Sequence, residues 1–215
     1  MRYRLFLAYT LFFVLALASQ PARAHPHAWI DYRVVAMMDD QNRLVALKQH
    51  WLFDEYYTEF ALHDFAKDKK NEKTSAILLE LAKDNLENLK PYDYFSVVEL
   101  DGKKVVVKGV SDVASDLVKG HIAMDFTLIL STPVETTGHK VSYRIYDPTY
   151  YISMLHDKSN GFSFSGTKAS ACSNELNTPK PSVAEVDFAS SVDKTGKMPE
   201  DYGHFFAQRM IIACH

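Results

Sequence analysis

Cysteine is scarce in this chain. Cys172 and Cys214 are its whole complement, too far apart in sequence to supply the closely spaced thiolates of a zinc site. Glycine is scarce too, at 8 residues, and none falls in a loop of the kind that cradles nucleotide phosphates. No His-Glu-x-x-His segment occurs among the 9 histidines, and no internal repeat is visible. A basic surplus is also lacking, with 24 Lys and Arg against 27 Asp and Glu. That balance is a poor partner for nucleic acid, whose binding rests on neutralising phosphates.

Long apolar runs are missing with one exception, residues 5–18, and that run falls short of the roughly 20 residues a spanning helix needs. Arg2 and Arg4 precede it, and Ala22-Arg23-Ala24 follows with small residues at the positions of a cleavage site. Residues 1–24 are therefore expected to be a secretory signal peptide, with no stable membrane insertion after cleavage. No cysteine follows the site, which argues against a lipid anchor. Residues 25–215 are expected to form a single periplasmic domain of 191 residues, enough for one sizeable core. Loss of the three leader arginines takes the formal net charge from −3 to about −6. In an oxidising compartment Cys172 and Cys214 are expected to pair.

The rest of the chain reads as strands around one helical region. Residues 28–38 alternate and are rich in β-branched and aromatic side chains. Asp39-Asp40-Gln41-Asn42 supplies a turn, and residues 44–53 complete a hairpin. The period of two sets His27, Trp29, Asp31 and Arg33 on one face, with Ala28, Ile30, Tyr32 and Val34 on the other. Residues 54–65 read as a short helix. Residues 74–89 read as a stronger one, with Ile77, Leu78, Leu81, Leu86 and Leu89 near the 3.6 period. Strands are expected again at 95–100, 105–110, 121–130 and 140–146. Residues 159–197, rich in Ser, Gly, Pro, Asn and Thr, read as loops, and 202–212 as a helix or a strand. The fold class is thus α+β, a β-rich single domain of antiparallel strands with one main helical insertion.

Cleavage after Ala24 would leave His25 as the terminus, offering a metal both its α-amine and its imidazole, with His27 two positions on. Neutral imidazole suits zinc, nickel and copper. The familiar chelate with histidine third is closed to this chain in this register, because Pro26 has no N–H to deprotonate. A brace from the His25 amine and imidazole with His27 remains; the alternative is an incidental surface histidine pair. Asp31 is a third ligand or an orienting group. Asp54 and Asp147 are reserve metal candidates, and each has a plainer reading: Asp54 as a helix cap, Asp147 as the Asp-Pro turn residue. The aromatics of Trp51-Leu52-Phe53-Asp54-Glu55-Tyr56-Tyr57 suit core packing.

His25-Pro26-His27 with Asp31, the Trp51 to Tyr57 segment, Tyr92-Asp93-Tyr94-Phe95, Tyr146-Asp147-Pro148-Thr149-Tyr150-Tyr151, Phe206-Ala207-Gln208-Arg209 and Cys214 together resemble the bacterial domain-of-unknown-function family 1007. The resemblance covers most of the chain after the leader. It implies a periplasmic component of an uncharacterised transport system associated with nickel or cobalt membrane transporters. The chain departs from the calcium-loop-like stretch of many relatives: residues 63–75 hold no glycine and no alternating acids, so calcium is not carried over.

The expectation is therefore a periplasmic accessory protein. It would bind a transition-metal ion (zinc, nickel, cobalt or copper) at His25 and His27 and exchange it with an inner-membrane metal transporter. Two rivals stand beside it. One is a copper histidine-brace oxidase with Tyr150 or Tyr151 near the centre, which oxygen-dependent turnover would reveal. The other is a metal-free envelope interaction module.

Overall fold

A computed structural model describes residues 26–67, 73–167, 169–192 and 198–215. The leader expected at residues 1–24, and His25 with it, lies outside the described residues. Strand β1, Ala28–Met38, alternates as the sequence does: its even-numbered residues are buried, while Trp29, Asp31 and Arg33 face solvent. The Asp39 carboxylate closes the turn by accepting from the backbone N–H groups of Gln41 and Arg43, both at 2.9 Å, and β2, Leu44–Phe53, returns antiparallel to β1.

Two helices follow, α1 (Glu55–Ala66) and α2 (Thr74–Leu89). Ile77, Leu78, Leu81, Ala82 and Leu86 of α2 are buried, one stripe of a 3.6-residue period. A 3-10 segment, Lys90–Phe95, leads into β3 (Ser96–Leu100) and β4 (Lys103–Lys104). Asp101 and Gly102 turn between them with φ of 49° and 78°, the left-handed pair a tight hairpin requires. Then come β5 (Val107–Val118), β6 (His121–Val134), β7 (Val141–Ile145), β8 (Ile152–His156), β9 (Phe162–Ser165) and β10 (Cys172–Asn177). Helix α3 (Val183–Ser191) and β11 (Arg209–Cys214) complete the order.

The strands form two sheets. The first runs β5-β6-β2-β1-β8, with β9 also paired to β1; the second runs β10-β11-β7-β3-β4. Their inward residues, among them Tyr32, Trp51, Phe126, Tyr143 and Met210, join Leu78 and Leu81 of α2 in one core. Full burial of each large apolar side chain contributes roughly 1.5–3 kcal/mol. Gln49 lies inside this core at 0% exposure and is satisfied on both sides: Trp51 Nε1 donates to its Oε1 at 2.9 Å, and its Nε2 donates to Ser96 Oγ at 3.0 Å. Cys172 and Cys214 form a disulfide directly across the β10–β11 pair.

The architecture is α+β and β-rich, as expected, with departures in detail that include the unexpected β8 and the extension of β5 to Val118. The first sheet is mixed, because β8 and β9 pair with β1 in parallel, end to end along one edge. Residues 159–197 hold β9, β10 and α3 where loops were expected. Residues 202–212 divide into a 3-10 turn, Tyr202–Phe205, and β11. Short strands with little apolar patterning escape a periodicity reading, since their partners supply the pairing. Helix α3 does carry a local signal: Ser182 and Glu185 form a reciprocal capping box. No described helix is long and apolar enough to cross a membrane.

Candidate functional site

The start of β1 is clamped on both sides. His27 N donates to Tyr151 O at 2.8 Å, and the two rings pack with centroids 4.6 Å apart. One turn of chain later, Trp29 N donates to Asp54 Oδ2 at 2.7 Å, while Asp54 N donates to Trp29 O at 3.0 Å. Pro26 and Trp29 border a cavity of about 260 Å³ whose far wall is Tyr150, Phe206 and the Val186 and Ala189 side of α3. Tyr150 stacks on Phe206 at 3.7 Å. The first described residues are thus ordered against an aromatic wall.

The residues picked out by the sequence separate into distinct roles. His25 lies outside the described residues. His27 stands at the mouth of β1, half-buried against Tyr151. Asp31 is exposed on the outer face, four residues along, a strand distance of about 13 Å from His27. Asp54 serves as the cap of α1: Oδ1 accepts from Tyr57 N at 3.0 Å, and Oδ2 is taken by Trp29 N. Asp147, 4% exposed, shapes the β7–β8 turn. Its Oδ1 accepts from Thr149 N and Oγ1, both at 2.8 Å, and its Oδ2 accepts from Ile152 N at 3.0 Å. The capping and turn readings of these two acids are the ones the fold uses. Among the described residues no group of three or more His, Cys, Asp or Glu converges on a metal-sized point.

A larger cleft lies elsewhere, a volume of about 620 Å³ over the outer face of β3 and β7, within the roughly 300–1,000 Å³ of small-ligand pockets. One wall is a left-handed turn in which Asp93, Tyr94 and Phe95 have φ of 50°, 56° and 58°. Left-handed backbone costs an L-residue about 1–2 kcal/mol, and it is rarely consecutive outside glycine. The buried polar relay continues here to hold it: Ser96 Oγ donates to Tyr94 O at 3.0 Å, and Tyr146 N donates to Phe95 O at 2.9 Å. Tyr94 is buried, while Phe95 and Tyr92, the latter 58% exposed, line the cleft.

The cleft floor is charged. Arg209 Nη1 donates to Glu99 Oε2 at 2.8 Å, while Arg144 Nη2 reaches Glu99 Oε1 only at 3.4 Å. Arg144 Cζ sits 5.5 Å from the centre of the Tyr146 ring, within cation–π range. Tyr146 OH donates to Asp201 Oδ1 at 2.7 Å. Burial pushes the Tyr146 hydroxyl well up from its ordinary range, with the Asp201 bond adding to it, so it stays a donor. Sequence reasoning missed this cleft, because its wall and floor come from separate segments, some of them more than 100 residues apart; the Tyr92-Asp93-Tyr94-Phe95 and Tyr146-Asp147-Pro148-Thr149 runs are its local hints.

The comparisons with known proteins agree with this sequence pattern and carry no assigned activity. An uncharacterized protein of Haemophilus influenzae (strain ATCC 51907 / DSM 11121 / KW20 / Rd) is 28% identical over 194 residues, covering 89% of this chain and 91% of the relative. No solved structure matches. The family described as "Protein of unknown function (DUF1007)" matches residues 10–214. Over residues 10–214, therefore, the chain belongs to the DUF1007 family.

Proposed function

We propose that the chain is an exported, periplasmic accessory protein that binds one transition-metal ion through His25 and His27 and exchanges it with an inner-membrane metal transporter. The observation that carries the reading is the clamped start of β1. His27 is held by its backbone bond and ring contact to Tyr151, so a donor two positions from His25 is ordered before any ion arrives. Ordering in advance lowers the entropic cost of closing a chelate. The His25 amine, its imidazole and the His27 imidazole form a three-nitrogen set of the kind zinc, nickel and copper accept. That set needs no carboxylate from Asp31, Asp54 or Asp147. Disulfide formation between Cys172 and Cys214 suits an oxidising compartment.

Calorimetric titration of the protein beginning at His25 with nickel, zinc and copper tests the reading, with circular dichroism as the check of folding. One ion per chain is expected. Affinity should fall below neutral pH as the amine, ordinarily near about 8, and the imidazoles, near about 6.5, take up protons. A glycine added before His25 keeps both imidazoles and displaces the amine, and His27→Ala removes the ordered donor. Each should weaken binding about tenfold or more. Wild-type affinity in both variants would move any metal site away from the terminus. Absence of binding by all three metals would leave the metal-free interaction module in its place.

A further inference from the structure

The cleft over Arg144 presents two unlike ends on one tyrosine. At one end the Arg144 guanidinium is largely enclosed, with 17% of its side chain exposed. Its Nε is buried with no hydrogen-bond partner among the described residues. Among the described residues its one carboxylate contact, to Glu99, is 3.4 Å, long beside the roughly 2.7–2.9 Å of a charge-assisted bond. Glu99 is already engaged at 2.8 Å by Arg209, so two guanidinium groups share one carboxylate and a positive charge is left over. A planar fork that is partly exposed, makes one long carboxylate contact and is held against an aromatic face is the arrangement that recognises a carboxylate.

At the other end of Tyr146 the charge is reversed. Asp201 accepts the Tyr146 hydroxyl through Oδ1, and its side chain is 55% exposed, with His204 Nδ1 3.8 Å from Oδ2. Glu200 beside it is exposed and also lines the cleft. Between the two ends the wall is apolar, formed by Tyr92, Phe95 and Pro199. The remaining lining cation, Lys104, is taken by Asp93 at 2.7 Å. A simple anion would meet Arg144 and be repelled by Asp201 and Glu200; a simple cation would meet the reverse. A ligand with both charges, separated by an apolar body, satisfies each end.

We infer that this cleft is a binding site for a short peptide with free termini, its carboxylate on Arg144 and its ammonium at Asp201 and Glu200. His27 does not line this cleft, and the inference does not depend on metal binding at the amino terminus.

Calorimetry with the tripeptide Ala-Phe-Ala, its N-acetylated form and its C-amidated form tests the inference on the full chain after the leader. The free peptide should bind, and each blocked form should bind about tenfold or more weakly. Arg144→Lys should weaken the free and acetylated peptides and spare the amidated one, because lysine keeps the charge and loses the fork. Asp201→Asn with Glu200→Gln should weaken the free and amidated peptides and spare the acetylated one. Circular dichroism and unchanged thermal midpoints confirm that the variants fold; where Arg144→Lys does not fold, the acid pair and the two blocked peptides decide alone. Three results would overturn the inference: no binding of Ala-Phe-Ala up to millimolar concentration, equal binding of all three peptides, or binding of a blocked form alone.

Discussion

At the scale of single residues, the core histidine His156 sets an acid limit on the fold. It is 5% exposed and lies against Tyr32 at 4.4 Å between ring centroids. Gly161 O, 3.1 Å from Nδ1, can only accept, so Nδ1 carries the proton and Nε2 accepts from Tyr143 OH at 3.3 Å. Burial pushes the His156 pKa down to about 4, with the Gly161 bond opposing in part. The unfolded chain, with an ordinary imidazole near about 6.5, protonates first as pH falls. Stability is therefore fully present above about pH 6.5 and is lost between about 6.5 and 4, by an amount on the order of 3 kcal/mol. Urea denaturation at steps between these limits should show the decline. His156→Gln should flatten it at some cost at neutral pH; an unchanged slope would mean that other groups govern acid stability.

At the scale of elements, Asp54 does two jobs with one carboxylate: it caps α1 at Tyr57 N and ties β1 at Trp29 N. Asp54→Ala should cost about 1–2 kcal/mol, the range of a lost cap. Asp54→Asn should recover only part of that loss, since the asparagine oxygen can accept from Tyr57 N while its amide nitrogen cannot accept from Trp29 N. Equal losses in the two variants, measured by thermal unfolding, would show that the tie to Trp29 N, rather than the helix cap, carries the effect. Gly203 is a second local constraint. A Cβ there would overlap the carbonyl oxygen of Asp147, so the 3-10 turn after α3 seats on the β7–β8 turn only through glycine.

These elements also mark how much the sequence discloses. Helix α2 matches its periodic pattern, Thr74–Leu89, and α1 begins one residue after its cap, because both signals are local. Strand β10 is exposed at all but one position; with no apolar alternation to read, its pairing with β11 is what makes it a strand. The left-handed turn at Asp93 to Phe95 contradicts local preference. It is stabilised by Gln49, Ser96 and Tyr146, from three separate segments.

At the scale of the whole molecule, the disulfide and the sheet order predict where the protein loosens. Cys172 and Cys214 are 42 residues apart in sequence, a closure that contributes roughly 2–4 kcal/mol by constraining the unfolded chain. Strand β10 is an edge, whereas β11 lies between β10 and β7. Reduction should therefore lower the unfolding midpoint and raise amide hydrogen exchange in β10 well before β11. Equal exchange in both strands after reduction would mean that the sheet opens as one unit.

Short-range chemistry in the sequence by itself determined the caps, the hairpin turns, the inward and outward faces of β1 and the pairing of the two cysteines. Each of these rests on residues close together or on a choice with one solution. Only the tertiary structure decided that β8 and β9 lie parallel to β1, and that Glu99, Arg144 and Asp201 meet around one cleft with Arg209 bonded to Glu99 from β11. Those outcomes follow from packing two sheets with helices α1 and α2 around one core, a long-range balance of burial that no local pattern encodes.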